Sequence, residues 1–172
     1  MAAEPLTVDA ELFEIREVRP ADYAALGALT IAAYETLFAG DVNPGYAAEL
    51  VDVARRAAES TVLVAVAGGE IVGGLNYTSG PGTYWSDTGG DEEAGIRMLA
   101  VAPGAQGRGF GTALVDACVR RAEAENRSRL SLHTMEPMAT AHRIYQRAGF
   151  KRAPGRDFEG ETYRLIAYVR EL

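Results

Sequence analysis

Three glycines at alternate positions, Gly107, Gly109 and Gly111, follow an apolar run at 96–102 and a Pro-Gly turn. Apolar residues spaced four apart begin immediately after them, which predicts an amphipathic helix. Glycine lets the backbone come close to a ligand, and the first N–H groups of a helix have no partner inside it. With the helix dipole these groups form an anion site, which Arg108 would strengthen. The segment therefore predicts a phosphate-binding turn; the alternative is a loop that only changes direction.

Two common nucleotide-binding patterns do not fit this turn. The dinucleotide fingerprint G-x-G-x-x-G, counted from Gly107, requires a third glycine where Thr112 stands, and the count from the next glycine also fails. A Walker loop counted from Gly104 requires lysine where Phe110 stands. A nucleotide-binding module is therefore disfavoured.

The pattern that fits is Gln106-x-x-Gly109-x-Gly111 after a strand that ends at 99–101. It resembles the acyl-coenzyme-A loop of the GNAT (Gcn5-related) superfamily of N-acetyltransferases. Further along the chain, the segment 141–150 carries a tyrosine four residues before a Gly-Phe pair and resembles the family's second motif. Two motifs in the right order are more specific than either alone, and the resemblance extends over nearly the whole chain.

The resemblance implies an acyltransferase that moves the acetyl group of acetyl-CoA, used as a co-substrate, to a primary amine of a small molecule or peptide by direct attack. The pantetheine arm would pair with the strand backbone, which could also donate to the developing oxyanion, and the pyrophosphate would lie over the turn. The implied cofactor-binding residues are Leu99, Ala100, Val101, Gln106, Gly107, Arg108, Gly109, Phe110, Gly111 and Thr112.

Tyr145 matches the family's tyrosine and is the predicted catalytic proton donor to the departing thiolate. An ordinary phenol has a pKa of about 10, so it holds its proton at neutral pH and can give it up. The alternative is a core tyrosine whose ring packs on the sheet.

A general base is expected because a lysine-like amine, with a pKa of about 10.4, is almost wholly protonated at pH 7. Many family members carry a carboxylate at the start of the strand leading to the turn, where this chain has Gly95. Glu93, two residues earlier and on the same face if the strand extends that far, is one catalytic candidate, beside Asp91 and Glu92. The alternative for all three is a solvated acidic loop. His133, on the strand before the Tyr145 helix, is the other candidate, and a structural histidine is its alternative.

The acceptor pocket implied by the resemblance lies between the early helices and the last loop. Carboxylates there would suit a cationic amine. The candidate lining residues are Tyr34, Asp41, Tyr46, Asp157, Phe158 and Glu159.

Cys118 falls on the apolar face of its helix and is predicted to be a core residue. Two histidines and one cysteine, none closely spaced, predict no metal site.

The elements that position these residues predict an α/β (α+β) fold, with a mixed, mostly antiparallel sheet flanked by helices. Residues 1–12 and 79–94 are predicted as a loose leader and a loop, and His142 is expected on an exposed helix face. The predicted strands are 13–18, 61–67, 70–78, 96–102, 130–134, 150–152 and 161–169, and the predicted helices begin near Pro20, Tyr46, Phe110 and Met138.

The length of 172 residues predicts one N-acetyltransferase domain over 1–172, with a core at about 13–170. The net charge of −7 argues against general nucleic-acid binding, and no apolar run is long enough to span a membrane. The N-terminal residues lack a signal-peptide pattern, so a cytoplasmic enzyme is expected. Dimers are frequent in the family, so a monomer and a homodimer both stay open. A protein N-terminal or lysine acetyltransferase and a non-catalytic acyl-CoA sensor remain alternative functions.

Overall fold

A computed structural model describes residues 6–8, 11–80, 90 and 92–172 of the chain. Within them the helices are α1 (Tyr23–Leu37), α2 (Pro44–Val51), α3 (Val53–Glu59), α4 (Phe110–Ala124) and α5 (Ala139–Arg147). The strands are β1 (Leu6–Val8), β2 (Glu11–Glu17), β3 (Thr61–Ala67), β4 (Glu70–Thr78), β5 (Glu93–Val101), β6 (Arg129–Met135), β7 (Lys151–Arg152), β8 (Phe158–Glu159) and β9 (Arg164–Glu171). Short 3-10 turns lie at Pro20–Asp22, Pro103–Ala105 and Pro154–Arg156.

The strands form one sheet in the order β1-β2-β3-β4-β5-β6-β9-β7, with β8 also paired to β9. Every pair is antiparallel except β5 and β6, which run parallel. The predicted mixed, mostly antiparallel sheet flanked by helices is therefore confirmed. The parallel pair is joined through α4, because a parallel connection needs a crossover element.

Apolar residues cover both faces of the sheet. One cluster packs α4 and α5 on one face, and it contains the edge-to-face pair Phe13 and Phe110, with ring centroids 5.2 Å apart. The other packs α1, α2 and α3 on the opposite face around the fully buried Leu26 and Leu50. Cys118 is buried in the first cluster, as predicted, and burial raises the pKa of its thiol.

Two early elements differ from those predicted. Residues Leu6–Val8 form β1 against β2, although the leader was expected to be loose, because edge pairing does not require an apolar pattern. The stretch expected as one helix from Tyr46 is divided at Asp52, whose side chain accepts a hydrogen bond from the Arg55 N–H at 3.1 Å and caps α3.

The predicted loop at 79–94 ends earlier than expected, because Glu93 and Ala94 begin β5 and pair with Arg129 and Leu130 of β6. Parallel pairing to a strand far along the chain gives no local periodicity, so the pattern of the segment itself did not indicate a strand. The last loop also contains β8, which was not predicted. Among the described residues, no helix is long and apolar enough to cross a membrane.

Candidate active site

The glycine turn joins the end of β5 to α4, as the sequence predicts. Gly107 and Gly109 have φ of 77° and 90°, the left-handed region that favours glycine. Gly109 is the N-cap of α4, so the N–H groups of Phe110 to Thr112 point out of the helix end. Gly111 serves another purpose, because a Cβ there would lie 2.9 Å from Cδ1 of Ile144 on α5. Two glycines therefore shape the turn and the third brings two helices together.

A cleft of about 300 Å³ opens at this turn. Nine of the ten predicted cofactor-binding residues line it, namely Leu99, Ala100, Val101, Gln106, Gly107, Gly109, Phe110, Gly111 and Thr112. Arg108 is the exception; its guanidinium lies over the Phe110 ring, 5.1 Å from the centroid. The end of β5, the glycine turn and the N-terminus of α4 therefore all line one cleft.

The opposite wall of the cleft belongs to α5 and was missed from the sequence. Arg143 and Arg147 line it together with Thr140 and Ile144. The two arginines are four positions apart, so they lie on one helix face and bring two cations to the cleft. Their spacing beside the tyrosine motif was a signal that could have identified them.

The backbone of β5 is free of β6 where the cleft begins. Pairing between the two parallel strands ends at Ile96 and Leu132, and Met98 has φ of 55°, which bends β5. Beyond this point β5 continues beside β4, with Val101 opposite Gly73, while β6 continues beside β9. The strands splay, so the edge of β5 at 99–101 can pair with an extended ligand.

A second cavity, of about 360 Å³, lies among α1, α2 and the loop before β9. Its described lining residues are Phe38, Asp41, Val42, Asn43, Gly45, Tyr46, Glu49, Met135, Gly160, Glu161, Thr162, Tyr163 and Leu165. Asp41 and Tyr46 were predicted to line such a pocket. Asp157, Phe158 and Glu159 do not line it; the residues that follow them, 160–163, take their place.

Tyr34 and Tyr46 lie side by side, one on the wall of each cavity. Tyr34 lines the cleft and Tyr46 lines the second cavity, and their rings meet edge-to-face with centroids 5.9 Å apart. Burial raises the pKa of both phenols, and the nearby phenol of Tyr145 raises the pKa of Tyr34 further. Both hydroxyls are therefore neutral hydrogen-bonding groups at neutral pH.

Asp157 holds the last loop together. Its carboxylate accepts hydrogen bonds from Arg152 at 2.8 and 3.0 Å and from the Ala167 N–H at 2.8 Å. The bonds from Arg152 and Ala167 lower the pKa of Asp157 to about 2. Its contacts are those of a loop anchor, whereas the sequence indicated a pocket carboxylate.

Glu93 is buried, in contrast to the alternative of a solvated acidic loop. Arg156 donates to both carboxylate oxygens, at 2.8 and 3.0 Å, and Arg129 donates at 3.2 Å. Asp91, its predicted neighbour, lies outside the described residues, as do the aromatic residues Tyr84 and Trp85 of the same predicted loop.

His133 is half-buried and contacts the same loop as Glu93. Its Nε2 lies 2.7 Å from the Arg156 carbonyl oxygen, and its ring packs edge-to-face on Phe158. A carbonyl only accepts, so Nε2 carries a hydrogen and donates it to Arg156. Neither His133 nor Glu93 is among the residues that line the two cavities.

Tyr145 lies on α5 with its ring buried against Phe150 and Tyr168, at centroid distances of 5.8 and 6.1 Å. Its ring therefore packs in the core, and its hydroxyl acts electrostatically on Tyr34 at the cleft.

His142, expected on an exposed face, is half-buried instead, because its Nδ1 lies 2.8 Å from the Tyr168 hydroxyl. That bond fastens the helix that carries Tyr145.

Among the described residues, no group of three His, Cys, Asp or Glu side chains is placed to hold a metal ion.

The comparisons with known proteins agree with this geometry. The family model of the acetyltransferase (GNAT) family matches residues 29–150, more than half of the chain, and the chain belongs to this family. No match among curated proteins was found.

Solved structures share the fold at low identity. A GCN5-related N-acetyltransferase from Kribbella flavida is 24% identical, with a TM-score of 0.68 over 93% of this chain and 98% of that one. The PaiA N-acetyltransferase from Thermoplasma acidophilum, in complex with coenzyme A, is 14% identical, with a TM-score of 0.71 over 93% and 99%. The putative acetyltransferase YncA from Salmonella typhimurium, with its cofactor acetyl-CoA, is 19% identical, with a TM-score of 0.65 over 93% and 94%.

Proposed function

We propose that this chain transfers the acetyl group of acetyl-CoA to a primary amine of a small molecule or peptide by direct attack. The observation that carries the proposal is that the two cavities are neighbours, with Tyr34 of one in ring contact with Tyr46 of the other. One is a cleft with an anion-binding turn, and the other is a pocket large enough for a small amine. The two relatives described with coenzyme A or acetyl-CoA support the choice of co-substrate.

The cleft fits the co-substrate by its charge as well as its shape. The helix N-terminus at Phe110 and the cations Arg143 and Arg147 suit the phosphates. The edge of β5 at 99–101, which is not paired with β6, suits the amide groups of the pantetheine arm, and its N–H groups would stabilise charge developing on the acetyl oxygen.

In this proposal Tyr145 gives its proton to the departing thiolate, and His133 takes the proton of the attacking amine through a water molecule. His133 is preferred to Glu93 because an imidazole can take up a proton near neutral pH, whereas both oxygens of Glu93 accept bonds from arginine. General acid–base catalysis of this kind contributes about 10²–10⁴-fold to rate.

The first experiment measures the melting temperature with and without acetyl-CoA. A ligand at a hundred times its Kd stabilises a protein by about 2.7 kcal/mol, so a clear rise is expected. Gly109→Val should abolish the rise because a β-branched residue at φ of 90° distorts the turn. Gly104→Val is the matched control, since a Cβ there has no atom within 4 Å. An unchanged melting temperature with millimolar acetyl-CoA would refute the co-substrate.

The second experiment follows release of coenzyme A with a panel of amines and peptides. Acceptor-dependent release is expected. Binding of acetyl-CoA without release for any acceptor would instead favour a non-catalytic sensor.

A further inference from the structure

The second cavity, called here the acceptor cavity and lined by the thirteen residues given above, has a marked charge. Three of its lining residues are carboxylates, and none is Lys, Arg or His. They come from separate parts of the chain: Asp41 follows α1, Glu49 lies on α2, and Glu161 precedes β9. Asn43 donates to the Glu161 carboxylate at 3.5 Å, which links the two sides of the opening. The wall therefore attracts a positive charge.

Aromatic rings give the same cavity a flat apolar surface. The rings of Phe38 and Tyr163 stack with centroids 4.8 Å apart and an interplanar angle of 22°, and both line the cavity beside Tyr46. Aromatic faces attract organic cations and also contact the methylene groups that separate two charges. The lining thus fits an alkyl chain that ends in a cation.

The order of residues along α1 places the carboxylates away from the cleft. Tyr34 lines the cleft, Phe38 lies one turn further along, and Asp41 follows the end of the helix. At 1.5 Å per residue, the step from Tyr34 to Phe38 is about 6 Å, and Asp41 lies beyond it. An acceptor whose nitrogen reaches the cleft would therefore place a second group near Asp41.

A buried positive charge acts on Tyr34 and Tyr46, although Arg56, which carries it, does not line the acceptor cavity. Arg56 is fully buried, donates from Nε to Asn76 at 2.8 Å and from Nη1 to the Leu50 carbonyl at 3.0 Å, and has no described partner at Nη2. None of these partners is a carboxylate, so its charge acts on the surrounding wall. Burial raises the pKa of Tyr34 and Tyr46, and the positive charge of Arg56 acts in the opposite direction and lowers it. A cation is thus disfavoured beside Tyr34 and favoured beside the three carboxylates.

We infer that the acceptor is a diamine-like molecule, whose attacking amine reaches the cleft in neutral form while a second, protonated amine is held by Asp41, Glu49 and Glu161. This inference rests on the proposed function and specifies the substrate class of the same site. The protonated second amine would fix the orientation of the acceptor's alkyl chain. The positive charge of Arg56 would favour loss of the proton from the attacking nitrogen.

The test compares cadaverine with pentylamine, which has the same carbon chain but one charge. We expect kcat/KM for cadaverine to be at least about tenfold higher, equivalent to 1.4 kcal/mol, and the advantage to fall with added salt. The double variant Asp41→Asn, Glu161→Gln should reduce the advantage to about twofold or less. Glu35→Gln, an exposed carboxylate on α1 that does not line the cavity, is the control and should leave the advantage unchanged.

Calorimetric binding of both amines to the protein saturated with coenzyme A separates two kinds of failure. Preferential binding of cadaverine without acetyl transfer would overturn the proposed function and retain the substrate class. Equal kcat/KM for the two amines, or an advantage that persists in the double variant, would overturn the substrate class alone.

Discussion

The carboxylate of Glu93 faces the guanidinium of Arg156 with N–O distances of 2.8 and 3.0 Å, and so a buried acid on β5 fastens the loop before β8. The backbone carbonyl of Arg156 meets His133 on β6. Both residues predicted as bases therefore hold the same short segment, which leads into the wall of the acceptor cavity. The Glu93–Arg156 ion pair therefore stabilises a loop whose continuation lines the acceptor cavity.

Glu93→Gln should lower the free energy of unfolding by about 1–3 kcal/mol, because it leaves two arginines without their buried carboxylate. The loss is at the lower end of the range for buried pairs because Arg156 and Arg129 are each about one third exposed. Urea denaturation measures it, with Glu159→Gln, an exposed carboxylate, as the control expected within about 0.5 kcal/mol. Lost activity with unchanged stability would instead identify Glu93 as the base.

His133→Gln tests the proposed base through the pH profile of kcat/KM. A base must be unprotonated to act, so activity of the unaltered protein should fall as the pH is lowered through the range in which an imidazole takes up a proton. The variant should lose most activity and also this acid limb. His142→Gln, whose histidine bonds Tyr168, is the matched control and should keep the limb. A variant that is merely less stable, with an unchanged profile, would contradict the role.

Asp157 should make stability depend on pH in the acid range. Its pKa is about 2 in the folded protein and 3.8 ordinarily, because Arg152 and the Ala167 N–H bond its charged form. A carboxyl with a lowered pKa stabilises the fold above its unfolded pKa, and this contribution is lost as the pH falls. The urea midpoint of Asp157→Asn should therefore lie below that of the unaltered protein at pH 5 to 7, and the two should converge between about pH 4 and 2. If the difference in urea midpoint between the two proteins stayed constant over this pH range, Asp157 would not be the source of the pH dependence.

The cleft at the glycine turn could be predicted because its signals are local. The glycine turn, its helix and the β-branched strand at 61–67 each lie within a few consecutive residues, and the hairpin 61–78 was predicted with the observed bounds. The acceptor half depends on distant segments. Asn43 and Glu161, 118 positions apart, meet at 3.5 Å, and no periodicity in either segment encodes that contact. Glu93 was likewise taken for a loop residue because its strand partner is 36 positions away.

Arg143 and Arg147 are predicted to bind the phosphates of acetyl-CoA. The double variant Arg143→Gln, Arg147→Gln should weaken acetyl-CoA binding by about tenfold or more, since charge-assisted bonds contribute roughly 1.5–3 kcal/mol each before solvent exposure reduces them. The salt dependence of Kd, measured by calorimetry, should also decrease. Arg120→Gln removes an exposed arginine of α4 outside the cleft and is the control. Equal Kd values in both variants would remove the α5 arginines from the site.

Tyr145→Phe separates a catalytic phenol from a core ring. The ring contacts with Phe150 and Tyr168 survive in phenylalanine, so the fold and the Kd for acetyl-CoA should change little. Loss of the proton donor should lower kcat by about 10²–10⁴-fold. Tyr77→Phe is the matched control, because this buried tyrosine bonds Glu125 at 2.8 Å away from both cavities and its loss should affect stability alone. If the two variants had equal kcat, Tyr145 would be a packing residue, and the thiolate would have to take its proton from water.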